Sequence, residues 1–210
     1  MKNSRVQSEL KYLLDAGYNR QSSLDFVSNH HRLDIPERNR LNRIVFSEKE
    51  VKDHKNKLAP LSSMRGGKVA VDGYNVLITV EAILSGGEYF KCMDGFIRDN
   101  SMVFSNHRIR KATFDAIESI LSVLKGARPS EVLFMYDSQV SRSGELAGYT
   151  RHSMMVNDVK GVARTSPRVD YELKKLDMIT ATSDSRIIGL VSTAVDLPQA
   201  VSRRLRQAKK

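Results

Sequence analysis

Two short apolar runs in this chain stop on an aspartate, and that pattern restricts the fold more than any other feature. Val69-Ala70-Val71 runs directly into Asp72-Gly73, and Val132-Leu133-Phe134-Met135-Tyr136 into Asp137. A brief apolar run bounded by polar or turn residues reads as a buried strand. Between the two lie a helical pattern over residues 74–84, closed by Gly86-Gly87, and a longer one over 108–125. The second turns Phe114, Ile117, Ile120, Leu121 and Leu124 to one side and ends at Gly126. Further strands are expected at 159–163, 178–181 and 187–191. A short helix is expected at 170–176, and a last helix capped by Asp196 carries Leu197, Val201 and Leu205. Strands alternating with helices demand crossovers, so the expected fold is α/β: an open, mainly parallel sheet with helices on both faces. Residues 88–97 interrupt the alternation as a hairpin turning at Asp94-Gly95.

The first third reads differently. Val6, Leu10, Leu13 and Leu14 recur at helical spacing before Gly17. Ser22 or Ser23 opens a short helix with Leu24 and Val27, and Pro36 suits a first helical turn ahead of Leu41, Ile44 and Val45. Ser47 and Glu50 have capping-box spacing, and Pro60 stops the helix they open. Ser62 to Gly67 reads as linker, which places a boundary near residue 66. The expected division is a basic helical module over 1–66 and an α/β domain with a basic tail over 67–210.

Charge sharpens that division. The chain of 210 residues carries +10, but unevenly. Residues 1–68 hold 14 Lys and Arg against 8 Asp and Glu, residues 69–200 hold 15 against 16, and residues 201–210 hold 5 against none. A near-neutral centre between two basic ends suits a polyanionic partner, although a charged surface also serves solubility alone. No apolar run approaches the roughly 18 residues that span a bilayer. No secretory signal pattern opens the sequence. Cys92 is the single cysteine, which excludes an internal disulfide framework and makes a reducing cytoplasm the expected compartment.

Ligands of open α/β sheets bind beyond the carboxyl ends of the strands. Asp72, Asp137 and Asp184 stand at such ends, and Asp170 opens a helix just before the strand leading to Asp184. Each alone is equally a turn or cap residue. Together, four carboxylates on one edge repel one another unless a cation neutralises them, and an all-oxygen set suits Mg²⁺ or Mn²⁺. Such a centre serves a nuclease, a phosphatase or a nucleotide-binding protein alike.

A resemblance narrows the choice. Val71-Asp72-Gly73-Tyr74-Asn75-Val76-Leu77-Ile78 resembles the opening motif of PIN-like nuclease domains, particularly the NYN branch. Phe134-Met135-Tyr136-Asp137-Ser138 resembles that family's second strand, Val169-Asp170-Tyr171-Glu172-Leu173 its acidic helix start, and Ile179 to Asp184 its strand ending in Thr-Ser-Asp. The likeness covers about residues 67–205. The whole chain is also similar to a prokaryotic family that joins a basic helical module to such a domain. The resemblance implies a PIN-like fold and a metal-dependent ribonuclease-like phosphodiesterase acting on RNA. Asp72, Asp137, Asp170 and Asp184 would hold one or two Mg²⁺ or Mn²⁺ ions, Asn75 would steady Asp72, and Thr182 or Ser183 would hydrogen-bond within the site. It also implies a homodimer. A non-catalytic RNA-binding or adaptor protein on the same scaffold, and a nucleotide phosphohydrolase, are the alternatives. The sequence departs from the family in two places. The NYN branch often has two adjacent acids where this chain has Asp170-Tyr171, and Glu172 lies about 200° round a helix from Asp170. The stretch 86–106 is long, and its Asp94 and Asp99 are candidates for extra metal or substrate contacts, or for turn and surface roles.

Arg142, soon after Asp137, is a candidate phosphate contact, and Arg203, Arg204 and Arg206 of the tail are candidates for the nucleic-acid backbone. His30, His31, His54, His107 and His152 show no zinc-helix spacing and read as surface or capping residues. Met154-Met155 reads as core, and Cys92 as an ordinary thiol.

Overall fold

The computed structural model describes residues 2–101 and 107–208. Four helices come first: α1 (Lys2–Asp15), α2 (Arg20–His31), α3 (Ile35–Ile44) and α4 (Glu48–Lys57). Ser47 caps α4 as its spacing predicts, with Glu50 N donating to Ser47 Oγ and Ser47 N donating to Glu50 Oε2. The remainder follows as β1 (Lys68–Asp72), α5 (Gly73–Leu84), β2 (Tyr89–Lys91), β3 (Ile97–Asp99), α6 (Lys111–Ala127) and β4 (Glu131–Asp137). Then come α7 (Ser143–Val156), β5 (Gly161–Ser166), α8 (Val169–Lys175), β6 (Ile179–Ala181), α9 (Ser185–Leu190), β7 (Ala194–Val195) and α10 (Leu197–Ala208).

Five strands form a parallel sheet in the order β5-β4-β1-β6-β7, while β2 and β3 pair as a separate antiparallel hairpin. The first strand therefore stands in the middle, and its last residue, Asp72, opens at the centre of the carboxyl edge. Alternation along the strands loads both faces. Val69, Val71, Phe134 and Tyr136 pack with α5, α6, α7 and α10, whereas Ala70 and Met135 pack with α8, α9 and Phe96. No described helix is long and apolar enough to cross a membrane.

The hairpin reaches back to the helical module. Cys92 is buried among Val6, Leu10, Leu41, Ile44, Phe46 and Val51, with Phe90 and Met93 packed against them. The segment leading into the sheet is equally well anchored. Leu58 pairs in parallel with Ala194, extending the sheet beyond β7, and Met64 is fully buried within a 3-10 turn (Leu61–Met64).

Several local expectations are corrected. Residues 187–191 form no strand: Asp184 caps α9 by accepting from Arg186 N, and the apolar run buries Ile187 and Ile188 from a helix. A run this short has the same composition in either state. Strand β5 starts at Gly161 rather than 159. Helix α7 has no counterpart in the hydrophobic pattern because its inward positions are Ser143, Leu146, Ala147, Thr150, Ser153 and Met154, at helical spacing but mostly small or polar. Met154 is core, but Met155 is 71% exposed. His54 and His107 are buried, not surface residues. His54 bonds Asp94, and His107 lies 2.9 Å from Glu81 Oε1.

Gly73 is where the central strand hands over to α5. A Cβ there would stand 2.4 Å from Tyr136 Cδ1 and 2.7 Å from the Met135 carbonyl oxygen. Gly73→Ala must push β4 away from β1 and is expected to cost about 1–3 kcal/mol. Gly144→Ala, on a helix with nothing within 4 Å of the new carbon, is expected to be neutral or slightly stabilising. Denaturant unfolding of the two variants reads the contrast. Equal stability of both would contradict the packing at Gly73.

Candidate functional site

Asp72 is 3% exposed at the end of the central strand, and two side-chain hydrogen bonds converge on its Oδ2. Asn75 Nδ2, from the first turn of α5, donates at 2.8 Å, and Thr182 Oγ1, just after β6, donates at 2.7 Å. Thr182 Oγ1 also accepts from Asp184 N at 3.1 Å, and Ser183 Oγ donates to the Asn75 carbonyl at 3.3 Å. The loop after β6 is thereby stitched to the start of α5. Burial pushes the Asp72 carboxyl up to about 7. The two hydrogen bonds oppose that shift, and the charges of Asp184 and Asp170 add to it.

The other carboxylates surround Asp72 on the same edge. The protein around Asp170 raises its pKa, as do the charges of Asp184 and Asp137, and Arg186 acts against them. Asp137 accepts from Gln139 N at 2.8 Å and helps to raise the pKa of Tyr74 to about 12, behind burial as the main cause. Asp72, Asp170 and Asp184 thus feel one another's charge, and Asp137 joins them through Asp170. Among the described residues, however, no three His, Cys, Asp or Glu side chains stand close enough to form a ready-made metal cage. The donor set is all oxygen, and its central member is buried and repelled by its neighbours. That chemistry fits a hard divalent cation held through one or two carboxylates with water completing its shell, as Mg²⁺ commonly is.

Asp94 and Asp99 are buried rather than on the surface, and Asp94 serves the hairpin turn by accepting from Phe96 N. Asp94 is fully buried and accepts two hydrogen bonds from Arg98, Nη1 to Oδ1 at 2.8 Å and Nη2 to Oδ2 at 2.7 Å. His54 Nδ1 donates to the same Oδ2 at 2.9 Å. Although burial alone would raise it, these partners hold Asp94 down at about 2. Asp99 accepts from Thr79 Oγ1 at 2.7 Å and from Ser101. Cys92, beside this network, is pushed up to about 11 by burial and stays a thiol.

The basic candidates behave differently from one another. Arg142 is exposed and folds onto Glu145 of its own helix, Nη2 to Oε2 at 2.6 Å. Arg203 and Arg204 line a groove with Leu61, Arg65 and Gly126, and Arg204 Nη1 donates to Ser122 Oγ. The segments preceding β1 and β4 meet nearby, through Gly66 N to the Arg128 carbonyl. That groove is therefore at the amino edge of the sheet, away from the acids. Arg206 is exposed on α10.

Other arginines do reach the acidic edge. Arg20 and Arg43 of the helical module join Arg98, Arg186, Asn75 and Asp184 around a cleft of about 300 Å³. Arg186 follows Asp184 by two residues, a proximity the sequence displays. Nothing local in the sequence shows that Arg20 and Arg43 arrive there, since it takes the docking of the module to bring them.

The state of Asp72 has a consequence for stability. In the unfolded chain it ionises near its ordinary 3.8, whereas folded Asp72 keeps its proton to about 7. Between those values only the unfolded chain has lost the proton. Stability through this group therefore falls as pH rises from about 4 to about 7, and the loss persists above, up to roughly 4 kcal/mol. Asp72→Asn removes the ionisation. In chelator its melting temperature is expected above that of the wild type at pH 8 and level with it at pH 4. A difference that does not change with pH would refute the raised pKa.

Residues 61–200 match the family model described as Domain of unknown function (DUF5616), and residues 5–57 match one described as Protein of unknown function (DUF434). An uncharacterised protein of Methanocaldococcus jannaschii is 36% identical over 184 residues, a match spanning 88% of each chain. No solved structure matches the chain significantly. The parallel sheet, the hairpin and the four acids all lie within the first of these matches, and the chain belongs to the DUF5616 family.

Proposed function

We propose that this chain is a metal-dependent, ribonuclease-like phosphodiesterase of PIN-like type that acts on RNA in a reducing, cytoplasmic setting. The observation that carries the reading is Asp72: a carboxylate buried at the centre of the carboxyl edge, hydrogen-bonded by Asn75 and Thr182, and raised by burial and by Asp184 and Asp170. A side chain ordered for packing alone has no reason to collect like charges around it. Structural ion-pair networks shift pKa values too, but there the partners are of opposite sign, as at Asp94.

Asp72, Asp170 and Asp184, with Asp137 beside them, are the residues that would hold Mg²⁺ or Mn²⁺. When bound, such an ion neutralises the phosphate and lowers the pKa of a coordinated water. The chain itself contributes position. Asn75 and Thr182 fix one oxygen of Asp72 from two different elements, so the carboxylate cannot turn away. The Ser183 hydroxyl ties the loop carrying Asp184 to α5.

The spacing of the carboxylates favours one rival reading. Because no three of them stand at ligation distance, a non-catalytic RNA-binding adaptor on this scaffold is the second candidate. Labelled RNA incubated with Mn²⁺ separates the two. The enzyme reading expects cleavage that falls at least about 100-fold in Asp72→Asn and in Asp184→Asn, and about 10–100-fold in Asn75→Ala, which acts one step removed. Undiminished cleavage in both aspartate variants overturns the site. RNA binding without cleavage by the wild type, across several metals, selects the adaptor.

A further inference from the structure

We infer that the cleft between the helical module and the acidic edge is a phosphate-binding subsite for single-stranded RNA. It would hold a backbone phosphate next to the one that lies over the four acids. The inference rests on the reading of this chain as an RNA-acting protein, but not on its cutting anything.

The cleft is composite. One wall belongs to the module, with Arg20 at the start of α2, Arg43 near the end of α3 and Phe46 just beyond it. The other belongs to the α/β part, with Asn75, Asp184 and Arg186. Two of the arginines are already committed. Arg98 is 4% exposed, paired through two bonds with Asp94, and donates through Nε to the Ser183 carbonyl at 2.6 Å. Arg20 Nη2 reaches both oxygens of Glu50, at 3.2 and 3.1 Å, and its Nη1 reaches the Val45 carbonyl at 3.0 Å. Both guanidinium groups lie over the Phe46 ring, Arg20 at 4.9 Å and Arg98 at 5.0 Å from its centroid, and the ring helps to hold them in place.

The other two retain positive charge to offer. Arg43 donates to the Ser101 carbonyl and approaches Asp99 only to 3.9 Å. Arg186 is exposed, and its charge acts on Asp170 at the acidic edge. One belongs to each wall, so an anion between them is gripped from both sides. Guanidinium groups match phosphate oxygens through paired N–H donors. The cleft has an acidic end as well, since its lining includes Asn75, which donates to Asp72, and Asp184, whose N–H donates to the Thr182 hydroxyl that bonds Asp72. A ligand with regularly repeated phosphates satisfies both ends. An isolated anion fills only the arginine end, and an acidic peptide would bring further carboxylates to an edge that already repels them.

The test is binding of a fluorescent single-stranded RNA to the full chain in chelator, by anisotropy across a salt series, so cleavage plays no part. The double variant Arg43→Ala/Arg186→Ala is expected to bind about 10-fold more weakly or worse. Its slope of log Kd against log salt should shrink by roughly 0.7, the change for one single-strand phosphate that is no longer neutralised. Arg43→Lys/Arg186→Lys keeps the charges and is expected to keep the slope, and thermal melts check that both variants are folded. The triple variant Arg203→Ala/Arg204→Ala/Arg206→Ala reports the amino-edge groove and should leave this contribution intact. An unchanged affinity and slope in the alanine double variant overturns the subsite, as does a wild type that binds no RNA. A wild type that binds through these arginines but cleaves nothing with Mn²⁺ overturns the nuclease reading and leaves the subsite standing.

Discussion

A full positive charge sits almost entirely out of water at Arg98, and the arrangement of this molecule follows from what that charge requires. Asp94 meets it with two parallel hydrogen bonds, His54 adds a third bond to the same carboxylate, and the Ser183 carbonyl takes the remaining Nε. Those partners come from the helical module, the hairpin and the loop after β6. A buried pair of this kind adds little to net stability, but leaving either charge alone costs about 3–5 kcal/mol. The three parts are therefore bound to one relative placement. That placement brings Arg43 and Arg186 to one cleft and holds Ser183 beside Asn75.

The acidic edge is built on the opposite electrostatic principle. At Asp94 unlike charges are matched and the carboxyl is driven down. At Asp72 a buried carboxyl is given only two neutral donors, has like charges as neighbours, and is driven up. Two aspartates 22 positions apart in one chain thus end in contrasting states through their surroundings alone. The first arrangement fixes structure. The second keeps a carboxyl buried among like charges at the end of the central strand.

Much of this was legible in the sequence. The apolar runs ending at Asp72 and Asp137 mark real strands, and the hairpin turns at Asp94-Gly95 as its residues indicate. Asp72, Asn75, Asp170 and Asp184 share one edge because strand ends and parallel pairing put them there. What escaped has a common physical cause. Helix α7 buries serine, threonine and alanine, so a hydrophobic pattern passes over it. Residues 187–191 have strand composition but follow a capping aspartate, and the cap decided the outcome. Asp94, Asp99, His54 and His107 look like surface residues singly, since a polar residue is buried only when a distant partner satisfies it. The arginines at the cleft escaped because Arg20 and Arg43 are brought to Asp184 by tertiary docking, whereas the conspicuous run at Arg203 to Arg206 lies at the other edge.

The strand order places β1 at the centre of the sheet, with neighbours that come from residues 131–137 and 179–181. The hydrogen bond from Thr182 to Asp72 closes a loop of 110 residues, and that from Arg98 to Ser183 one of 85. Such distant closures form late, after local helices and hairpins. During synthesis, Asp72 leaves the ribosome long before the residues that surround it. A nascent chain passes most of its elongation with its acidic residues present but unassembled. The acidic edge is assembled only once Thr182 and Asp184 have joined Asp72.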